Sequence, residues 1–256
     1  MSPTGHASPP VHWAARTLKL GTTTIPLLIA RRAVSESDCG ISRVVIVAHG
    51  LGVDKEVQRP ELERLARAGF IAVCPDAPHH GERRDGLLER LDASTGTERH
   101  ERFIGMVSEA ASELPLLIDH FRHSLGGRVA VAGISMGGFT TFASFLHDPR
   151  PDVAILFLAS PDWRTPDQRL AGLPPKGPVC NPDRFFPVPL MAVTAGCDTV
   201  VPPDETVSFM ETLRPLYAAA PGSLLHAGYP SSGHMMREND WDDAWERAIL
   251  FLNEHL

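Results

Sequence analysis

The sequence predicts an α/β protein built on a mostly parallel, doubly wound sheet, and three observations carry that prediction. Short apolar runs alternate along the chain with longer segments of helical period. The runs RVVIVA (43–48), RVAVAG (128–133) and VAILFLA (153–159) are nearly unbroken apolar stretches, as strands covered on both faces require. Gly and Pro punctuate the joints between these segments. Strands that alternate with helices argue for a sheet with helices on both faces, and in such sheets chemistry collects at the carboxyl ends of the strands.

Taken in order, residues 16–20 and 24–30 read as two strands joined at Gly21 in a hairpin. The 43–48 strand is followed by a helix over 61–68, where Leu62, Leu65 and Ala66 share a face and Gly69 stops the turn. Residues 70–74 (FIAVC) form the next strand, broken by Pro75. The charged, glycine-punctuated stretch 81–96 reads as an excursion with a short helix. A long amphipathic helix is expected over 103–121, with a kink or a break at Pro115. The 128–133 strand leads into a helix reaching His147, and the 153–159 strand leads into 160–187, whose seven prolines resist any periodic reading. A strand over 188–195, a helix over 205–217, a strand over 223–227 and a helix over 241–255 complete the chain, which shows no internal repeat.

At 256 residues a single domain is expected over 1–256, with residues 1–12, rich in Pro, Ser and Gly, as a loose N-terminal arm. The 43% hydrophobic and 21% charged fractions are those of a globular protein, and the net charge of -7 argues against a nucleic-acid partner, which needs a basic face. No basic patch followed by an apolar core marks a secretory signal, and no run is long enough to cross a bilayer, so a cytoplasmic protein without a membrane partner is the expectation. Cys39, Cys74, Cys180 and Cys197 are far apart and include no CxxC pair, which gives neither a zinc framework nor a disulfide scaffold and suits a reducing compartment.

Chemistry enters at Gly133-Ile134-Ser135-Met136-Gly137, directly after the 128–133 strand and before a helix. Glycines flanking the serine allow a sharp strand-to-helix turn, and the helix N-terminus favours developing negative charge. The pattern alone is also that of a glycine-rich turn capped by Ser135. Its setting is that of a nucleophile elbow, and on it the sequence resembles the α/β-hydrolase superfamily.

That resemblance implies a serine hydrolase in which the chain order is serine, acid, histidine. The superfamily's two oxyanion donors would be the backbone N–H of Met136 and that of Leu51, in His49-Gly50-Leu51-Gly52 after the 43–48 strand; His49 itself would support that loop or face the pocket. Gly196-Cys197-Asp198-Thr199-Val200-Val201-Pro202 is similar to the family's acid turn and makes Asp198 the orienting carboxylate. Of the histidines beyond Asp198, His226 falls inside a strand and His255 at the terminus, whereas His234 lies in a loop between the last strand and the last helix. His234 is therefore the expected general base.

The run from Asp76 to Arg83 (DAPHHGER) is similar to one found in small esterases; its default role is structural, and adjacent His79 and His80 suit a metal poorly, so no metal and no cofactor are expected. Residues 160–187 lie where family members insert a cap. Trp163, Phe185 and Phe186 either line a substrate pocket or pin this proline-rich loop to the body. The implied activity is cleavage of small to medium carboxylic esters through an acyl-enzyme on Ser135. Peptide or thioester cleavage, acyl transfer, and a non-catalytic ligand-binding role are the alternatives, and the oligomeric state is left open.

Overall fold

A computed structural model of the chain describes residues 10–33, 42–148 and 150–256, so Cys39 and the first nine residues of the expected arm lie outside the described residues. The elements in order are β1 (Val11–Leu20), β2 (Thr23–Arg32), β3 (Arg43–Ala48), α1 (Arg59–Arg67), β4 (Ile71–Pro75), α2 (Leu87–Ala93), α3 (Gly96–Leu125), β5 (Arg128–Ile134), α4 (Met136–Ser144), β6 (Val153–Phe157), α5 (Pro166–Leu170), β7 (Leu190–Ala195), α6 (Asp204–Leu213), β8 (Leu224–Tyr229) and α7 (Glu238–His255).

The eight strands form one sheet in the order β1-β2-β4-β3-β5-β6-β7-β8. β1 and β2 pair antiparallel, as do β2 and β4, and the remaining pairs are parallel. The two-residue period of a strand sends alternate side chains to opposite faces. Val45 and Val47 of β3 and Ala130 and Ala132 of β5 accordingly pack with Leu62 and Leu65 of α1 and with Trp245 and Ala248 of α7. Val44, Ile46, Val129 and Val131 face the other way, onto Leu114, Leu117 and Ile118 of α3. Farther along that second face, α4 and α6 cover β6 and β7 through Phe142, Phe209 and Met210. Each large aliphatic side chain withdrawn from water here contributes about 1.5–3 kcal/mol.

Two elements differ from the sequence expectation. The hairpin is longer: β1 begins at Val11, so Val11 and His12, expected in the arm, pair with Arg32 and Arg31. Val11 and Trp13 both pack on the core, which extends the strand toward the N-terminus. The long helix begins at Gly96 and runs unbroken past Pro115 to Gly126, which caps it with φ +61°. Pro115 lacks an N–H, so only the Ala111 carbonyl forgoes its helical partner. The proline ring itself is buried on the core face.

Residues 160–187, expected as a cap of loops with one or two small helices, hold one short α-helix, α5, and two 3₁₀ turns (Pro178–Cys180 and Pro182–Arg184). A capping box starts α5: Thr165 Oγ1 accepts from the Gln168 N–H at 3.2 Å, and the Thr165 N–H donates to Gln168 Oε1 at 3.1 Å. The rest of the segment is tied down by backbone bonds such as Trp163 N–H to the Lys176 carbonyl and Val179 N–H to the Pro161 carbonyl.

Candidate active site

Four loops at the carboxyl ends of β3, β5, β7 and β8 converge on one point. Ser135 is the residue between β5 and α4, with φ +54° and ψ −116°. A non-glycine residue in that region of backbone space is strained and persists only where its surroundings over-determine it. Here the Ser135 N–H donates to the Phe157 carbonyl at 2.9 Å and its carbonyl accepts from the Phe139 N–H at 3.0 Å. The flanking glycines are obligatory: a Cβ at Gly133 would stand 2.0 Å from the Gly137 carbonyl oxygen, and one at Gly137 would stand 2.0 Å from the Ala48 carbonyl oxygen. Backbone crowding of β3, β5 and α4 thus explains the Gly-x-Ser-x-Gly spacing.

The Ser135 hydroxyl donates to His234 Nε2 at 2.9 Å. His234 Nδ1–H donates in turn to Asp198 Oδ2 at 2.8 Å. The second oxygen of Asp198 accepts from the N–H groups of Val200 and Val201 at 2.9 and 2.8 Å, so the D-T-V-V-P run is what holds the carboxylate in place. The Asp198 side chain is fully buried, while that of His234 is 18% exposed. Buried acid, partly exposed imidazole and strained serine form one continuous line of hydrogen bonds.

Bonds between the acid turn and the histidine loop position this line. Cys197 N–H donates to the Ser232 carbonyl at 2.8 Å and Gly196 N–H to the Tyr229 carbonyl at 2.9 Å, which joins the acid turn to the histidine loop. Ser232 is buried, its hydroxyl donates to Asp240 of α7 at 2.6 Å, and it accepts from the Arg237 N–H at 3.1 Å. Its place two residues before His234 was the available signal, but a serine in a Ser-Ser-Gly loop reads as ordinary turn chemistry.

Met136 is the first residue of α4, so its N–H has no intrahelical acceptor. Leu51 lies across the same cavity as Ser135, and Gly50 brings that loop close: a Cβ there would be 3.8 Å from Ser135 Cβ. His49, a pocket candidate in the sequence, is instead 1% exposed and works as a brace. Its Nε2 accepts from the Ala77 N–H at 3.0 Å, which leaves Nδ1–H to donate to the Gly50 carbonyl at 2.8 Å. Burial pushes its pKa down from 6.5 to about 4, with the contact to Gly50 acting in the opposite direction.

That depression has a definite sign. The unfolded chain takes up the proton near pH 6.5, while the folded chain resists it until about pH 4. The contribution of His49 to stability is therefore complete above pH 6.5 and is lost as pH falls toward 4, to the extent of about 3 kcal/mol. Urea unfolding of wild type and His49→Gln at pH 7 and pH 4.5 checks this. The loss of stability between the two pH values is expected to be smaller in the variant by about 2 kcal/mol.

The Asp76–Arg83 run is structural. Asp76 is fully buried and accepts from Lys55 Nζ at 2.7 Å, from the Lys55 N–H at 3.0 Å and from the Glu82 N–H at 3.0 Å. Burial alone would raise its pKa, but these bonds hold it below the ordinary carboxylate value. Gly81 has φ +54°, and a Cβ there would meet the Asp76 carboxyl at 2.3 Å, which is why glycine follows the two histidines. His79 bridges Asp85 and Glu109 through its two ring nitrogens, both at 2.8 Å, and His80 is buried edge-on against the His49 ring.

A cavity of about 360 Å³ opens beside Ser135. Leu51, Phe103, Phe139 and Val201 are among its apolar lining, and Arg99 of α3 and Arg164 and Arg169 of the 160–187 segment line it as well. The aromatic pocket candidates lie elsewhere. Phe185 is fully buried and stacked on Phe145 at 4.2 Å, and Phe186 packs edge-on against Tyr217. Trp163 pins the segment to the core, with its carbonyl accepting from His100 Nε2 at 2.6 Å. Phe103 of α3 and Phe139 of α4, edge-to-face at 5.2 Å, are the aromatics beside the serine. Both occupy ordinary helix-face positions, so nothing in the linear sequence distinguishes them from core residues.

The chain is similar in sequence and in fold to several known proteins. YitV of Bacillus subtilis (strain 168), named as a "Putative esterase", is 27% identical over 217 residues, covering 75% of this chain and 82% of YitV. TT1662 from Thermus thermophilus superposes with a TM-score of 0.72 at 20% identity, over 95% of this chain and 98% of its own. A cold-adapted esterase from an Arctic intertidal metagenomic library superposes with a TM-score of 0.65 at 17% identity, over the full length of both chains. The fold is that of the α/β-hydrolases. Residues 30–256 match the dienelactone hydrolase family, and the chain, a hydrolase by that match, belongs to it.

Proposed function

We propose that the protein hydrolyses carboxylic esters of small to medium size through an acyl-enzyme on Ser135. The observation that carries this reading is the unbroken line from Ser135 to His234 to Asp198, ending on a cavity able to hold a substrate. A serine hydroxyl becomes a competent nucleophile when a base takes its proton, and His234 Nε2 is within hydrogen-bond distance to do so. Asp198 holds the imidazole in the tautomer with its free lone pair toward serine and stabilises the imidazolium that forms. Attack on the ester carbonyl places a negative oxygen at the start of α4, where the Met136 and Leu51 N–H groups would receive it; one such donor is worth about 3 kcal/mol. His234 then delivers its proton to the leaving alcohol. A water activated by the same histidine releases the acid and restores Ser135.

YitV's name and the ester-cleaving neighbour support an ester as substrate. Treatment with a fluorophosphonate probe tests the reading directly. One covalent adduct, mapped to the peptide containing Ser135 and absent after heat denaturation, is expected. An unlabelled native protein would refute it.

A further inference from the structure

Three arginines line the cavity beside Ser135: Arg99, Arg164 and Arg169. At face value they describe a site for an anion, but each already donates to an acceptor within the protein. Arg164 Nε donates to both oxygens of Asp162, at 3.1 and 2.9 Å, and its Nη1 donates to the Leu173 carbonyl at 2.6 Å. The Asp162 side chain is 1% exposed, so withdrawing Arg164 toward a ligand would leave a buried carboxylate uncompensated. Arg169 Nε pairs with Glu205 of α6 at 3.0 Å, and its Nη1 donates to the Arg164 carbonyl at 2.6 Å. Arg99 Nη1 donates to the Leu91 carbonyl at 2.6 Å and to Asp92 at 3.2 Å.

Asp162 and Glu205 themselves face the cavity. A carboxylate entering it would therefore meet two negative groups and arginines that already donate to acceptors within the protein, beside a lining that includes Leu51, Phe103, Phe139 and Val201. Of the two inner pairs, Arg169–Glu205 is the one whose carboxylate is partly in solvent, with side chains 21% and 29% exposed. Removing the Glu205 charge would release the Arg169 guanidinium without stranding a buried ion.

We propose that this cavity selects uncharged esters, and that Glu205 is a specificity-determining residue that does so by cancelling the charge of Arg169. The proposal rests on the ester-hydrolase reading above and adds the charge of the substrate to it.

Two matched substrate pairs test it, whichever side of the ester occupies the cavity. p-Nitrophenyl hexanoate and p-nitrophenyl hemiadipate differ by a carboxylate on the acyl side. 4-Acetoxybenzamide and 4-acetoxybenzoate differ by one on the alcohol side. With kcat/KM normalised to the uncatalysed rates, wild type is expected to favour the neutral member of at least one pair by about tenfold or more. In Glu205→Gln the anionic-to-neutral ratio for that pair is expected to rise at least about fivefold, and in Glu205→Gln/Arg169→Gln to fall back. Equal use of neutral and anionic members of both pairs by wild type overturns the proposal. So does a ratio unmoved by Glu205→Gln, or a rise that persists without Arg169. Absence of turnover of all four esters overturns the ester-hydrolase reading itself and is told apart because no ratio can then be formed.

Discussion

Replacing Ser135 by alanine is expected to lower kcat for p-nitrophenyl butyrate by a factor on the order of 10⁵, with the unfolding midpoint unchanged. The size follows from losing the covalent route entirely. What survives is the binding cavity and the two backbone donors, and such remnants sustain roughly 10³–10⁴-fold acceleration over water in serine hydrolases of this plan. The fold should be indifferent to the change. Alanine has the same Cβ as serine, so it meets the same strain at φ +54° and keeps the backbone bonds to Phe157 and Phe139. Among the described residues, the hydrogen bond removed is that to His234, whose ring is partly exposed and can turn to water. Steady-state kinetics with a thermal melt on the same sample checks both halves. A variant that kept more than a tenth of wild-type activity would remove Ser135 from the mechanism.

Asp198→Asn is expected to cost about 10⁴-fold in kcat near neutral pH. The two carboxylate oxygens do different work, and the amide separates them. Oδ1, which receives the Val200 and Val201 N–H groups, is preserved in asparagine, so the turn keeps its shape. Oδ2, which receives His234 Nδ1–H, becomes an NH₂ group, and two donors then face one another. His234 must adopt the other tautomer, with its proton on Nε2, where it can no longer accept from Ser135. The imidazolium formed during attack would also lose its negative partner. Asp198→Ala, by contrast, strips both backbone N–H groups of their acceptor and should destabilise the fold as well. Comparing the two variants by kinetics and by urea unfolding separates orientation from support. An asparagine variant with near-normal kcat would show that another group orients the imidazole.

Much of this was legible in the chain. The unbroken apolar character of RVVIVA, RVAVAG and VAILFLA announced strands covered on both faces, and these are β3, β5 and β6 at the centre of the sheet. Motif order then led to Ser135, Asp198 and His234, because each stands where a strand ends and a loop must begin; the structure brings all three within hydrogen-bonding distance. Boundaries were less legible where tertiary contact overrides local signals. Gly21 marked the hairpin, but its length depended on the pairing of Val11 with Arg32. Pro115 argued for a kink or a break, yet the helix continues unbroken through it, with the same turn buried against the sheet.

Beyond Ser135, Leu51 and the acid turn, the cavity lining was not legible. Phe185 and Phe186 stood out as aromatics in a proline-rich segment, and one became core while the other packed on Tyr217. The residues that line the cavity run from Leu51 to Glu205 and include positions on α3, α4, α5 and α6, separated by up to about 150 positions in the chain. By itself the sequence determined the central strands and the glycines that let Ser135 sit on its turn, because these follow from local sterics and short-range hydrogen bonding, and its resemblance to the α/β-hydrolases implied the order of the chemical groups. Only the tertiary structure decided which side chains face the substrate and which arginines are already spoken for, because both depend on contacts between elements that share no local pattern.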